Sequence, residues 1–282
     1  MKNGYLAGMI TGAIAGTAAG ISAIFPQTLL VILGLNPRVF LEALPYAITV
    51  HVGFNMIFGI AFGIIYTRFY DVIPYKGIKK GLVYGLILYL TQDLWPAFYY
   101  LVYGNLTWIS GFLFSGIFVS LTYGFLQGAL YEGTQYLGKV KYDIKSGMTV
   151  GAIAGLIGGI VAFILQFINT FIIEVPNSWL DQISSNISIV NLAAIEIVPM
   201  TVWGVIFSTL FVLFFDRIPG KGSVKGLYFG LILCLLCVIR KFSWGIPYAM
   251  RYDTMIMGII TYSLMFIIYG LVLGLLYKKP PK

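Results

Sequence analysis

Residues 71–88 read DVIPYKGIKKGLVYGLIL, and residues 216–233 read DRIPGKGSVKGLYFGLIL. The two stretches lie 145 residues apart, and 12 of their 18 positions are identical without a gap. A second pair of stretches, residues 8–27 and 147–166, matches at 11 of 20 positions with an offset of 139. Matches in the same order at nearly one offset indicate an internal duplication of about half the chain, and such a duplication decides the architecture.

The composition indicates a membrane protein. Of the 282 residues, 59% are hydrophobic and 10% are charged, whereas a soluble domain carries about 25% charged residues. Apolar runs of about 20 residues, the length of a helix that crosses a bilayer, recur along the chain. These runs are continuous and do not alternate with polar residues, which excludes a transmembrane barrel.

We predict an all-α polytopic membrane protein with eight transmembrane helices, arranged as two parallel four-helix repeats around a pseudo-two-fold axis along the membrane normal. Four spans per half is an even number, so both halves enter the membrane with the same orientation. The predicted domains are a first repeat (1–134), a cytoplasmic linker (135–146) and a second repeat (147–282). The predicted spans are 5–33, 48–68, 80–103, 109–134, 146–173, 191–214, 225–241 and 254–277.

The distribution of Lys and Arg predicts the orientation, because cytoplasmic loops of membrane proteins are enriched in these residues. With the N-terminus in the cytoplasm, 14 of the 18 basic residues fall in cytoplasmic segments. We therefore expect a multi-pass protein of the cell membrane with both termini cytoplasmic. The net charge of +8 does not indicate nucleic-acid binding, since the basic residues lie in short loops between spans.

Small and amide side chains recur at equivalent places in the first span of each half. Gln27 and Gln166 are equivalent, and we expect them to form hydrogen bonds between helices, with a pathway-lining amide as the alternative. A ladder of glycines four apart predicts close helix packing, for which spans 1 and 5 are one candidate pair, or else a smooth pathway lining. The ladder glycines are Gly8, Gly12, Gly16, Gly20, Gly147, Gly151, Gly155 and Gly159.

The repeated motif Asp-x-Ile-Pro-x-Lys-Gly-x-x-Lys-Gly predicts a basic cytoplasmic hairpin in each half. Proline sets the turn between antiparallel spans. The lysines expected to face the cytoplasm are Lys76, Lys80, Lys221 and Lys225. They serve either as positive-inside anchors or as a site for anionic lipid headgroups or a phosphorylated ligand.

Five ionisable residues are predicted at membrane depth, in the outer half of the bilayer. They are Asp93, Glu196, His51, Arg240 and Lys241. Charges at such depth are costly and face a partner or a wet cavity. A pair between His51 and Glu196, or between Asp93 and Arg240, would satisfy them across the two halves. The alternatives are a substrate or ion pathway and a headgroup-level tie between the repeats.

No cofactor, metal site or catalytic residue is expected. Cys234 and Cys237 lie in an apolar run with no second pair, so they are interpreted as small apolar filler, because tetrahedral zinc needs four ligands. Asn105 and Asn186 match the glycosylation pattern in segments that are predicted to lie outside.

The stretch from His51 through Phe58-Gly59, Phe62-Gly63 and Pro74 to Lys80-Gly81-Leu82 resembles the YagU-like family of small bacterial inner-membrane proteins. The resemblance covers about 50 residues of one half. The resemblance implies that this chain is a membrane protein, and it implies no particular biochemical activity.

The leading functional hypothesis is a small-solute or ion transporter, or a channel-like protein, with a polar site between the repeats in the outer half of the membrane. The alternative is a non-catalytic scaffold or accessory subunit of a larger membrane complex. Expected partners are the lipid bilayer, anionic lipid at the basic loops, and other membrane subunits or further copies of the chain. An enzyme is not expected.

Overall fold

The computed structural model describes residues 2–34, 44–94, 97, 111–133, 143–171, 188–239 and 252–279. All regular structure within these residues is helical. The described residues divide into two compact units, the first within Met1–Gly138 and the second from Lys139 onward. The prediction of an all-helical fold is therefore confirmed for the described part of the chain.

The first unit is built from five α-helices and two short π-helical segments. Its α-helices are α1 (Lys2–Ser22), α2 (Ile24–Ile32), α3 (Leu44–Phe69), α4 (Gly77–Tyr89) and α5 (Gly116–Leu130). The π-helical segments are Leu90–Leu94, directly after α4, and Gly111–Ser115, directly before α5.

The second unit has four α-helices and one π-helical segment among its described residues. Its α-helices are α6 (Ile144–Phe171), α7 (Ile189–Phe214), α8 (Ser223–Leu233) and α9 (Tyr252–Leu276), and its π-helical segment is Cys234–Ile239. The α6 helix begins at Ile144, inside the segment predicted as a linker. The Asp143 carboxylate accepts a hydrogen bond of 3.0 Å from the Ser146 N–H and thereby caps this helix.

The first predicted span is broken into α1 and α2 at Ala23. Pro26 has no N–H to donate to the carbonyl of Ser22 four residues earlier, and its ring crowds that carbonyl. The matching residue of the second sequence copy is Leu165, and α6 continues through it without a break.

Six stretches within the described residues are long and apolar enough to cross a membrane. They are Gly4–Ile32, Val52–Phe69, Leu113–Leu130, Ile144–Ile168, Ile189–Phe214 and Ile256–Leu276. The chain is thus a multi-pass integral membrane protein, and its surroundings are a lipid bilayer. The predicted third and seventh spans are helical where they are described but are not among these six. The described part of the third carries Lys80 and Asp93, and the seventh is a shorter apolar helix, Ser223–Val238.

Each glycine ladder packs against the second long helix of its own unit. A Cβ added at Gly12 of α1 would lie 2.1 Å from the carbonyl oxygen of Gly59 on α3. A Cβ added at Gly155 of α6 would lie 2.4 Å from the carbonyl oxygen of Met200 on α7. Helix backbones approach this closely only where side chains are absent, so the ladders pack α1 on α3 and α6 on α7.

Matching positions of the two sequence copies form the same long-range hydrogen bond. The Tyr123 hydroxyl on α5 donates to the Gly59 carbonyl on α3 over 3.0 Å. The Tyr269 hydroxyl on α9 donates to the Gly204 carbonyl on α7 over 2.8 Å. Each bond ties the last helix of its unit to the second long helix, α3 or α7, so the two units share one internal frame.

Candidate functional site

The helix that follows the basic hairpin changes to π geometry at the same place in both units. Leu90–Leu94 continues α4, and Cys234–Ile239 continues α8. A π-helical turn is wider than an α-helical turn, and such turns occur frequently at functional sites. The offset of 145 places Asp93 opposite Val238, so the same local distortion carries a carboxylate in one unit and an apolar residue in the other.

Asp93 is buried, with 4% of its surface exposed, and it lies against the first turns of α5. The Ser120 hydroxyl donates a hydrogen bond of 3.2 Å to Asp93 Oδ2. A Cβ added at Gly116 would lie 2.4 Å from the Cβ of Asp93, so the glycine makes the space that the carboxylate occupies. Tyr89, one helical turn earlier, interacts electrostatically with Asp93.

Gln92 is the neighbour of Asp93 on the π-helical segment, and it is 3% exposed. Neither its amide nitrogen nor its amide oxygen has a hydrogen-bond partner among the described residues. Buried amides are nearly always hydrogen-bonded, and an unmatched one costs about 1–3 kcal/mol. An amide with both atoms unmatched, next to a buried carboxylate, indicates a place for water or a ligand.

Hydroxyl groups complete the polar surroundings of these two residues. Thr91, Ser115 and Ser120 are all buried. The Thr91 hydroxyl bonds back to the Ile87 carbonyl over 2.9 Å. With Gln92 and Asp93 they form the buried polar cluster, which is defined by Thr91, Gln92, Asp93, Ser115 and Ser120.

Glu196 of α7 is also buried, at 2% exposed. Its backbone lies beside the glycine ladder, since a Cβ added at Gly159 would be 3.0 Å from the Glu196 carbonyl oxygen. Pro199 follows inside the helix and leaves the carbonyl of Ile195 without its usual N–H partner. Glu196 thus occupies a helix position where the backbone ladder is locally broken.

Several predicted site residues fall beyond what the structure describes. Arg240 and Lys241 lie outside the described residues, as do Asn105 and Asn186. His51 and Gln27 are placed in α3 and α2, but their side chains lie outside the described part. Gln166 is half-buried in α6. The proposed pairs of His51 with Glu196 and of Asp93 with Arg240 therefore stay predictions.

The sequence predicted that all four hairpin lysines face the cytoplasm. In the structure only two of them are exposed. Lys76 and Lys221 are exposed. Lys80 is fully buried: its ammonium donates to the Tyr70 carbonyl and lies 3.9 Å from the centre of the Tyr70 ring. The half-buried Lys225 ammonium donates to the Ile218 carbonyl over 2.8 Å. These two lysines turn inward because the carbonyl groups at a helix C-terminus attract a cation.

The cysteines of the second unit are both buried, and the Cys234 thiol donates to the Ser263 carbonyl over 3.4 Å. Among the described residues no group of three or more His, Cys, Asp or Glu side chains could hold a metal ion.

The sequence interpretation found Asp93 but missed Gln92 and Ser120. Both are ordinary polar residues that carry no motif. The signal was nevertheless available in the duplication, because Gln92 matches Cys237 and Ser120 matches Phe266. A polar residue opposite an apolar one in an otherwise similar copy marks a position where packing alone does not determine the side chain.

No protein-family model matches the chain, and no curated protein or solved structure matches it at a significant level. The resemblance to the YagU-like family therefore stays a prediction, and the function has to be argued from the described side chains.

Proposed function

We propose that this integral membrane protein transports a small ion or solute and that Asp93 is the group that binds it. The observation that carries the proposal is the buried Asp93 carboxylate, which lies beside an unpartnered Gln92 amide on a π-helical segment. An ionisable side chain inside a membrane protein is costly, and it is found mainly in ion pathways, relays and ligand sites. The matching residue Val238 fills the corresponding place without that cost.

The other polar residues predicted at membrane depth fit this proposal as further pathway groups. They are Glu196, His51, Arg240 and Lys241. The proposed setting is the cell membrane with both termini in the cytoplasm. The exposed Lys76 and Lys221 would contact anionic lipid at the cytoplasmic surface, whereas the inward-turned lysines serve the fold.

Reconstitution of the full-length protein in liposomes tests the proposal. Radiolabelled sodium, radiolabelled rubidium and the acidification of a trapped pH dye report the flux of three cations in parallel. We expect flux of at least one of them, and we expect Asp93→Asn to abolish it. Asp216→Asn is the matched control, because Asp216 is an exposed carboxylate in an ion pair with Lys279.

A second variant tests the geometry of the site without changing its charge. Gly116→Ala places a methyl group on the Asp93 side chain, so flux should fall although the carboxylate remains. Flux at the wild-type level in Asp93→Asn would contradict the site. Absence of any flux in the wild type, together with a stable stoichiometric partner in mild detergent, would instead support the accessory-subunit alternative.

A further inference from the structure

The buried polar cluster is one end of a longer row of polar side chains inside the first unit. On α5, Ser120, Tyr123 and Gln127 follow each other at intervals of three and four residues, which puts them on one helix face. All three are buried. The row, here called the polar column, runs from Asp93 through these residues of α5, Tyr84 of α4 and Tyr66 of α3.

The aromatic members of the polar column are in direct contact with one another. The ring centres of Tyr123 and Tyr84 are 6.3 Å apart, and those of Tyr84 and Tyr66 are 4.9 Å apart. Tyr66 in turn contacts Tyr70, with ring centres at 5.4 Å, and the Lys80 ammonium lies over the Tyr70 ring. The column thus extends from Asp93 to the hairpin end of α4, about 20 Å for 13 residues of helix.

The polar column contains most of the unmatched polar atoms of the described structure. Five buried side-chain atoms have no hydrogen-bond partner among the described residues, and four of them are the Tyr66 hydroxyl, the Gln127 amide oxygen and both amide atoms of Gln92. The Gln127 nitrogen, by contrast, donates to the Thr11 hydroxyl over 3.0 Å. Buried polar atoms that lack a protein partner are ordinarily satisfied by ordered water.

The second unit packs the same frame without this polarity. The residues that match Tyr66, Tyr84, Asp93, Ser120 and Gln127 are Phe211, Phe229, Val238, Phe266 and Leu273. All five of these apolar residues are buried. At these five positions the frame therefore packs without hydroxyl, amide or carboxyl groups, so their polarity in the first unit needs a different explanation. The sixth member of the column, Tyr123, matches Tyr269 and belongs to the frame.

We infer that water molecules at the unmatched atoms of the polar column link its polar groups, and that protons pass along this row between Asp93 and the hairpin end of the first unit. This inference rests on the proposed function and names the proton as the ion. The rings of the column contact one another, with centres 4.9–6.3 Å apart, so water has room only at the polar edges of the rings and a larger solute has none. Hydroxyl and amide groups with bridging water can pass a proton along hydrogen bonds. Asp93 takes up one proton to become a neutral carboxyl group and releases it again, and no other group changes.

Two variants interrupt the polar column while keeping its shape, because each installs the residue found at the matching position. These variants are Tyr66→Phe and Gln127→Leu. Tyr66→Phe removes only an atom that has no protein partner, so the fold should not lose stability. The matched controls are Tyr277→Phe and Gln166→Leu in the second unit, which make the same chemical changes at a buried and a half-buried position.

The experiment uses full-length protein in liposomes with a trapped pH dye, an acidic exterior and valinomycin with potassium to balance the charge. We expect proton flux in the wild type to fall about tenfold in both column variants, equivalent to about 1.4 kcal/mol in the barrier. Both controls should retain the wild-type rate. Wild-type proton flux in Tyr66→Phe and Gln127→Leu, with unchanged thermal unfolding, would overturn the inference.

Two further readouts separate this inference from the proposed function. Sodium or rubidium flux that depends on Asp93, without proton flux, would overturn the proton path and leave the proposed function standing. Hydroxyl-radical footprinting of the wild-type protein needs no variant: radicals generated from internal water should modify the buried Tyr66. An unmodified Tyr66, beside modified exposed tyrosines such as Tyr75, would show a dry column and overturn the inference.

Discussion

The two units resemble each other in how their helices touch and differ in what those helices enclose. Both bring a glycine ladder against a partner helix, and both tie their last helix to a glycine carbonyl with a tyrosine. In both, the helix after the basic hairpin, α4 or α8, continues in π geometry. Along the polar column the first unit buries Asp93, Gln127, Tyr84 and Tyr66, whereas the matching residues of the second unit are buried valine, leucine and phenylalanine; the second unit buries its own carboxylate, Glu196, at a different place. The contacts between helices are therefore shared by the two units, whereas the buried side chains at the column positions differ.

The difference teaches which features serve packing and which need another purpose. A feature present in both units is explained by the frame, such as the lysine of α4 or α8 whose ammonium donates to a carbonyl just after the preceding helix. A feature present in one unit only, such as Asp93 with its polar neighbours, is not required by the frame. Burial of an ionisable group costs stability, and Val238 shows that this cost is avoided at the position that matches Asp93.

The largest expected effect comes from exchanging the residues at positions 93 and 238, which tests whether the two units differ in their tolerance of a buried carboxylate. Val238→Asp places a carboxylate at a buried position of the second unit, where Phe266 matches the Ser120 that donates to Asp93, and we expect it to cost about 3 kcal/mol. Asp93→Val should be neutral or stabilising, because a buried charged group is replaced by an apolar side chain. Unfolding in detergent micelles with increasing SDS measures both changes.

Val224→Asp is the control for this exchange, since Val224 is exposed on the first turn of α8. It should leave stability nearly unchanged. If Val238→Asp were tolerated as well as Val224→Asp, the second unit would also accept a carboxylate, and the contrast between the two cores would disappear.

The glycine ladders should respond alike in the two units, because they belong to the frame. Gly12→Val and Gly155→Val each push a side chain onto a backbone carbonyl of the facing helix. Overpacking of this kind should cost about 2 kcal/mol in either unit. Gly53→Val in α3 is the control, as an added Cβ there has no heavy atom within 4 Å. Thermal unfolding that changes in only one unit's variant would contradict a shared frame.

Much of the fold could be predicted from the sequence because lipid allows few backbone arrangements. The nine helices among the described residues lie close to the predicted spans, and the ladder glycines pack as small residues should. The sequence did not indicate which helices the ladders join, since a glycine face fits any close neighbour. It also did not indicate the π-helical segments, because these depend on packing around residues 90–94 and 234–239 rather than on local propensity.

The candidate site was predictable only in part for a related physical reason. A carboxylate within an apolar run is visible in a sequence, so Asp93 and Glu196 were found. Gln92, Gln127 and Tyr66 become significant only through burial and missing partners, which are properties of the folded chain. Lys80 was misjudged because a lysine close to a helix end can reach either solvent or a carbonyl group, and composition does not distinguish the two.

The smallest expected effect concerns the inward-turned lysines, Lys80 and Lys225. Their substitution tests whether they stabilise the helix packing or bind lipid headgroups. Lys80→Met and Lys225→Met remove the ammonium but retain an apolar stem, leaving the carbonyls of Tyr70 and Ile218 without this donor. We expect a loss of about 1.5 kcal/mol in each unit, the size of a hydrogen bond to a charged group. SDS unfolding in micelles measures it.

The exposed lysines Lys76 and Lys221 separate the two roles, because they lie on the same hairpins but turn outward. Lys76→Met and Lys221→Met should leave stability unchanged and weaken retention on vesicles of anionic phosphatidylglycerol relative to neutral vesicles. Lys80→Met should lower stability and leave retention on anionic vesicles unchanged. If Lys80→Met instead left stability intact and weakened lipid retention, Lys80 would be a headgroup ligand rather than a part of the frame.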